Sequence, residues 1–541
     1  MPKRKTSRYL LPSIAVLATT LLTSLIIVRS PGGSRDQITA VAQPTPTLPV
    51  TPPATLSTLS SDVAVAHEID LAIDQSNQKQ ARWGVFVMSL DDGRVIYSRN
   101  GDNLFTPASN MKIYTTAVTL DLLGADYRWR TSVYAAREPD ASGAIDGDLV
   151  LYGRGAPDLV SFRQNDAPSL ADLADQLYQH GVREIRGHIV GDESYFSGEL
   201  YGNGWQWNDL QWYFGAQPSA LTVDANAIEL TITPGNKIGG QADLKLNRQT
   251  GYIRLANNTI TVARGAATTI GINRGLSDND VRVWGEFPAV GRSFTAYLSV
   301  VNPALWAATL FKDALVARGI KIDGEARSSD SRVPEAQRFN PQQTIELAHI
   351  DSGPLGQIVR ATNKESINLN AELLLRTLGK ERGIMAPDPD PRKMKQRGAD
   401  EAGVAVIKLW LERAGISATG LEVRDGSGLS RLDLVSPETT VRLLTAISKT
   451  NSYSIFHDSL PVAGRDGTLK GRLAHEAGRI AAKTGSLTFD HSLSGYATTQ
   501  SNEVLVFSIL CNDAAGEKGA VHTIDQIASL LTSFNRNSTR P

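Results

Sequence analysis

The sequence predicts a multidomain α/β fold with a β-rich nested insertion, preceded by an N-terminal transmembrane or signal segment. Three observations lead there. The chain has 541 residues, more than one ordinary domain holds. Helix- and strand-patterned segments at both ends of its body enclose a long series of short strand-like runs separated by turn signals. A basic cluster opens the chain and an uncharged apolar stretch follows it directly.

The opening segment comes first. Lys3, Arg4, Lys5 and Arg8 precede residues 9–28, which carry no charge. About 20 such residues suffice to cross a bilayer as a helix. Positive charge ahead of the span keeps the N-terminus cytoplasmic and sends the remainder outside. A cleaved signal peptide is the rival expectation. Ala40-Val41-Ala42, the nearby cleavage-like triplet, lies well past the apolar run. Residues 1–30 are thus expected to anchor the chain in the inner membrane, with an exported body facing the periplasm. Residues 31–58 contain Pro44, Pro46, Pro49, Pro52 and Pro53 among Thr and Ser. That composition favours an extended linker, which at about 3 Å per residue reaches roughly 80 Å.

The body then begins with helical spacing over residues 62–75, from Val63 through Val65 and Ile69 to Ile73. Residues 84–90 and 94–98 read as two strands around the turn Asp91-Asp92-Gly93. A helix is expected from Ser109 to near Gly124. From about 130 to 300, strand-like runs recur at 147–152, 187–192, 227–232, 244–246, 252–255 and 259–262. Helical patterning returns at 303–318 and dominates 355–378, 399–414 and 437–448. Residues 479–483, 493–498 and 503–510 read as successive strands, and 521–533 as a closing helix. The C-terminal strands are expected to complete a sheet begun by the N-terminal hairpin, because the chemistry below requires both ends to meet.

Composition narrows the function classes. Formal net charge is −1, so nothing points to nucleic acid as a partner. The single cysteine, Cys511, sits in an apolar strand-like run and reads as a buried thiol. The eight histidines are dispersed and form no H-E-x-x-H or comparable ligand set, so no metal and no cofactor is expected.

Three motifs carry chemistry. In Ser109-Asn110-Met111-Lys112, a helical i,i+3 spacing sets the hydroxyl beside the amine. A serine hydroxyl needs a base to accept its proton. Lysine serves only if burial or another cation lowers its pKa. In Lys483-Thr484-Gly485-Ser486, a strand-borne lysine could hold a carboxylate or supply that second cation. Its glycine lets a substrate backbone lie close. In Ser366-Ile367-Asn368, on a helical segment, a hydroxyl can relay a proton and an amide can both donate and accept. Each motif alone is commonplace as a helix start, a strand end or a polar helix face.

Together, in this order, they resemble the S-x-x-K, S-x-N and K-T-G signature of penicillin-binding proteins and serine β-lactamases. The chain further resembles the low-molecular-mass class C penicillin-binding proteins, the D-alanyl-D-alanine carboxypeptidase/endopeptidase family. The matching stretches are Pro107-Ala108-Ser109-Asn110-Met111-Lys112, Gly204-Trp205-Gln206-Trp207-Asn208-Asp209, Asp425-Gly426-Ser427-Gly428-Leu429-Ser430-Arg431, Leu460-Pro461-Val462-Ala463-Gly464 and Lys483-Thr484-Gly485-Ser486-Leu487. The resemblance spans about residues 60 to 535.

The resemblance implies a transpeptidase-like domain in two parts, residues 59–130 and 346–541. An insertion domain would occupy 131–223 and 286–345, itself split by a third domain at 224–285. It implies acylation of Ser109 with Lys112 as base, and a cleft lined by Ser366, Asn368, Lys483, Thr484 and Gly485. Backbone N–H groups of Ser109 and Ser486 would bind the oxyanion. Asp209, Phe214 and Arg431 would recognise the peptide stem. The implied partners are peptidoglycan stem peptides, with β-lactams as covalent inhibitors. The sequence departs from the family at Ile367, where Asp is frequent, and at Thr488 after K-T-G-S-L. A serine β-lactamase and a non-catalytic wall-binding scaffold of the same fold are the alternatives.

Overall fold

A computed structural model describes residues 62–164, 166–383 and 398–535. The expected anchor and linker lie outside these residues. Among the described residues no helix is long and apolar enough to cross a membrane.

The main body is built from both ends of the chain. Helix α1 (Asp62–Asp74) leads into strands β1 (Arg82–Ser89) and β2 (Val95–Arg99). A single 3-10 turn, Ala108–Asn110, then opens helix α2 (Met111–Leu123). The chain returns as helices α3 (Leu355–Lys364), α4 (Asn368–Arg382), α5 (Ala399–Arg413) and α6 (Pro437–Ile447). Strands β3 (Ile480–Leu487), β4 (Asp490–Thr498) and β5 (Val504–Asn512), then helix α7 (Glu517–Ser533), close it.

The five strands form one antiparallel sheet in the order β3-β4-β5-β1-β2. Residues 82–89 of β1 pair in register with 512–505 of β5, so Trp83 faces Cys511. The expected meeting of the chain ends is therefore present. Strands β4 and β5 are buried almost end to end, because helices cover both faces. On one face α1 and α7 pack through Val65, Ile69, Ile73, Ile524, Ile527 and Leu531. Burial of each such side chain contributes about 1.5–3 kcal/mol. On the other face lie α2 and α6. Helix α2 is buried through ten consecutive residues, Met111 to Leu120, the pattern of a helix enclosed on all sides.

Between α2 and α3 the chain forms further sheets. Arg130–Ala135, Leu149–Tyr152, Ile189–Asp192, Ala326–Ser329 and Ile345–Asp351 make a second five-stranded sheet. Ile345–Asp351 pairs with Arg130–Ala135, so the two ends of this region close on each other beside the main body. Two three-stranded sheets lie between residues 227 and 299 in sequence.

Four expectations need correction. Residues 355–378 are two helices. The break falls at Ser366, whose φ of +57° ends α3, while Ile367 N–H donates back to Thr362 O at 3.1 Å. No Gly, Asn or Pro marks that turn, so the apolar spacing ran through it. Ser109 sits in the 3-10 turn ahead of α2. The runs at 252–255 and 259–262 belong to one strand, Arg254–Val262. Helix Leu170–Gln179, capped by Ser169, went unrecognised inside the strand-rich stretch.

Candidate active site

The turn that carries Ser109 is held in an unfavourable backbone state. Ala108 has φ of +49° and is fully buried. A side-chain-bearing residue adopts that conformation only where its surroundings enforce it. Four contacts do so. Asn110 Nδ2 donates to Lys483 O at 3.0 Å and to Ser492 Oγ at 2.7 Å. Ser492 Oγ donates to Pro107 O at 2.8 Å. Gly428 presses on Ala108 so closely that a Cβ there would lie 1.8 Å from Ala108 O.

Lys112 is fully buried beneath Ser109. Its Nζ lies 2.7 Å from Asn368 Oδ1, 2.7 Å from Ser427 O and 3.0 Å from Ser109 Oγ. The first two are carbonyl oxygens, which only accept. A neutral amine gives its two hydrogens to them and turns its lone pair toward the Ser109 hydroxyl. Burial lowers the Lys112 pKa from 10.5 to about 7, against the pull of Asp425, Glu372 and Asp433. Of the two causes the sequence left open, burial or a second cation, burial is the one that lowers the Lys112 pKa.

Lys483 stands on β3, also fully buried. Its Nζ donates to Ser366 Oγ at 3.0 Å and to Thr484 O at 2.9 Å. Burial, then repulsion from Lys112, pushes its pKa well below the usual lysine value. The three motifs thus converge. Lys112 reaches Asn368, Lys483 reaches Ser366, and these two partners flank Ile367. The break between α3 and α4 puts Ser366 and Asn368 at one point of the wall. Asn368 Nδ2 donates to Phe214 O at 2.9 Å, so Phe214 meets the site through its main chain.

The β3 edge approaches the nucleophile closely. A Cβ at Gly485 would lie 3.0 Å from Ser109 N and 2.9 Å from Pro107 O. Ser486 follows at the exposed end of β3, in register with His491. Thr484 Oγ1 is 2.7 Å from Thr468 Oγ1, a second hydroxyl at that spot which sequence reasoning missed. Arg431 is aimed by Asp490, 2.8 Å away, and by Thr488 O at 3.0 Å. Asp209 is half-buried; burial raises its carboxyl pKa and Arg431 draws it down. Thr488, noted as a departure, meets Arg431 through its main chain.

A buried acid network was also missed. Glu372, one turn along α4 from Asn368, accepts from Gly426 N at 2.9 Å and Ser427 N at 3.0 Å. Its other oxygen pairs with Arg376 at 2.8 Å. Asp425 accepts from Gly428 N at 2.7 Å and Trp205 Nε1 at 2.8 Å. Asp433 accepts from Arg424 N at 2.6 Å. Burial pushes Glu372 and Asp433 above the usual carboxylate range. These groups fix the loop 425–428, whose Ser427 carbonyl orients Lys112. The stretch from Asp425 to Arg431 was legible as a motif but not as a scaffold for the base.

The arrangement provides a nucleophile, an adjacent base, a second amine with a hydroxyl relay, and a strand edge, which is the equipment of serine acyl transfer. Comparisons agree. A family model described as the D-Ala-D-Ala carboxypeptidase 3 (S13) family matches residues 65–534. A D-alanyl-D-alanine carboxypeptidase of Actinomadura sp. (strain R39) is 34% identical over 462 residues, covering 83% of this chain and 81% of that one. The D-alanyl-D-alanine carboxypeptidase DacB of Haemophilus influenzae is 27% identical over 430 residues, covering 78% and 84%. The solved structure of penicillin binding protein 4 (dacB) from Haemophilus influenzae superposes with a TM-score of 0.73 at 23% identity, covering 87% of this chain and 99% of that one. A structure of the same protein complexed with a novel β-lactam gives 0.68 at 22% identity, covering 86% and 99%. With the match running across nearly all of its described body, this chain belongs to the D-Ala-D-Ala carboxypeptidase 3 (S13) family.

Proposed function

We propose that the protein is a serine-type D-alanyl-D-alanine carboxypeptidase and D,D-endopeptidase of peptidoglycan stem peptides, acylated at Ser109 and inhibited there by β-lactams. The observation that carries this is the seat of Lys112: two carbonyl acceptors take its hydrogens and the third direction meets Ser109 Oγ.

Ser109 Oγ attacks the carbonyl carbon of the penultimate D-Ala, and its proton passes to Lys112 Nζ. Such base catalysis contributes about 10²–10⁴-fold. The oxyanion lies between the N–H groups of Ser109 and Ser486, each worth roughly 3–4 kcal/mol. Collapse breaks the C–N bond, and the leaving nitrogen takes a proton through the Ser366 hydroxyl, which rests on Lys483. Water then attacks the ester, and Ser109 recovers its proton. Asn368 and Gly485 hold the substrate backbone, and Thr484 holds its terminal carboxylate. Asp209, Phe214 and Arg431 read the stem side chain. Residues 9–28 hold this body at the outer face of the inner membrane, within the periplasm.

Family membership and the β-lactam complex of the Haemophilus influenzae relative support the reading. The test is incubation with purified muropeptides followed by mass spectrometry. Release of D-Ala from pentapeptides, or scission of cross-linked dimers, is expected. Intact muropeptides together with no labelled-penicillin adduct would overturn it.

A further inference from the structure

Beside the cleft lies a cavity of about 380 Å³ that the mechanism does not use, within the range of small-ligand pockets. One wall is a face of α3. Gln357, Arg360 and Lys364 recur there at helical spacing, and Glu365 follows at the helix end. The other wall is the turn Asp466-Gly467. Both walls run straight into the active site. Glu365 precedes Ser366, which holds Lys483. Gly467 precedes Thr468, whose hydroxyl lies 2.7 Å from that of Thr484. The cavity therefore borders, through Glu365 and Gly467, the two residues that meet Lys483 and Thr484 of β3.

Its floor is rigid. Lys364 Nζ donates to Asp466 at 2.7 and 2.8 Å and to Leu460 O. A Cβ at Gly467 would meet Lys364 O at 2.7 Å. That pair neutralises itself, which leaves Arg360 and Glu365, one charge of each sign, at the cavity. The Arg360 guanidinium is exposed and steadied by Asp458 O at 2.9 Å.

We propose that this cavity is a leaving-group subsite, which seats the peptide chain attached to the leaving amine when a cross-link is cut. The inference rests on the reading of the cleft given above. A terminal D-Ala ends at its own carboxylate, beside Thr484, and leaves the cavity empty. A cross-linked dimer continues from that nitrogen into a second stem bearing carboxylates, which Arg360 complements.

Two variants test it: Arg360→Glu reverses the charge, and Gln357→Trp fills the space. Each is assayed for labelled-penicillin acylation, D-Ala release from an uncross-linked pentapeptide muropeptide, and cleavage of a cross-linked dimer. Dimer cleavage is expected to fall at least tenfold, through KM, with the other two rates within twofold of the parent. Equal losses on both muropeptides, or an unchanged dimer rate, would overturn the subsite. So would a parent enzyme that trims pentapeptides and ignores dimers. A parent enzyme inert on both muropeptides would instead remove the proposed function itself, and the subsite with it.

Discussion

The side-chain amide of Asn110 donates to the main-chain carbonyl of Lys483 at 3.0 Å, across 373 positions of sequence. The residue after Ser109 is thereby tied to β3, the strand that carries Lys483 and Thr484. Asn110 also donates to Ser492 Oγ, so one amide sets the spacing between the Ser109 turn, β3 and β4.

Asn110→Ala removes both bonds and leaves buried acceptors unpaired. Each such loss costs about 1–3 kcal/mol. The urea midpoint is expected to drop and labelled-penicillin acylation to slow in the folded variant. A variant with parental midpoint and parental acylation rate would mean that the tie does nothing.

Lys112 acts as base only when neutral. Acylation by penicillin is expected to rise with pH through about 7 and then level off. Glu372 favours the ammonium form, so Glu372→Gln should move the rise to lower pH. Gln keeps an oxygen for Gly426 and Ser427 but loses the charge opposite Arg376, at a cost of about 3–5 kcal/mol. A rise displaced to higher pH would contradict the electrostatic picture.

The same depressed lysine has a stability signature. Its folded pKa of about 7 lies below the unfolded 10.5, so between these values the unfolded chain binds more protons. Stability from this group therefore increases with pH across that window. Lys112→Met should flatten the increase, measured as the difference in unfolding free energy between pH 7.5 and pH 9.5.

Gly485→Ala puts a methyl 2.2 Å from Ser492 Oγ and 3.0 Å from Ser109 N. Either β3 or the nucleophile turn must retreat. A displacement near 1 Å costs about 10²-fold in rate. The expectation is a loss of that size in acylation, with the fold retained by circular dichroism; parental kinetics would show that the close approach is dispensable.

Ser109→Ala leaves Lys112 its two carbonyl partners and removes one hydroxyl. The melting temperature is expected to stay near the parental value and the covalent penicillin adduct to vanish in mass spectra. A surviving adduct would relocate the nucleophile.

Much of the site was legible because its chemistry is local. Ser109 and Lys112 needed only helical spacing, and Lys483 only a strand end. What stayed hidden depends on long-range contact or on backbone shape. The turn at Ser366 has no glycine, asparagine or proline to announce it. Glu372 looks like an ordinary charged helix residue, and its burial against loop 425–428 follows only from the packing of α4 beneath α2. Asp490 and Thr468 earn their roles from partners 59 and 16 positions away. In the strand-rich region, Asp280–Pro288 and Phe294–Ser299 escaped notice although turn residues, Gly275 to Asn279 and Gly291 to Ser293, precede each.

The sheet order has a consequence in time. Strand β5, near the end of the chain, fills the slot between β4 and β1. Until it arrives, β3 and β4 have no strand pairing to β1 and β2, and only the Asn110 tie and the close approach of Gly485 link β3 to the Ser109 turn. A polypeptide emerging N-terminus first from a ribosome or a secretion channel carries its nucleophile early and its hydrolytic capacity last. Copies truncated before β5 thereby lack the assembled sheet against which the Ser109 turn packs.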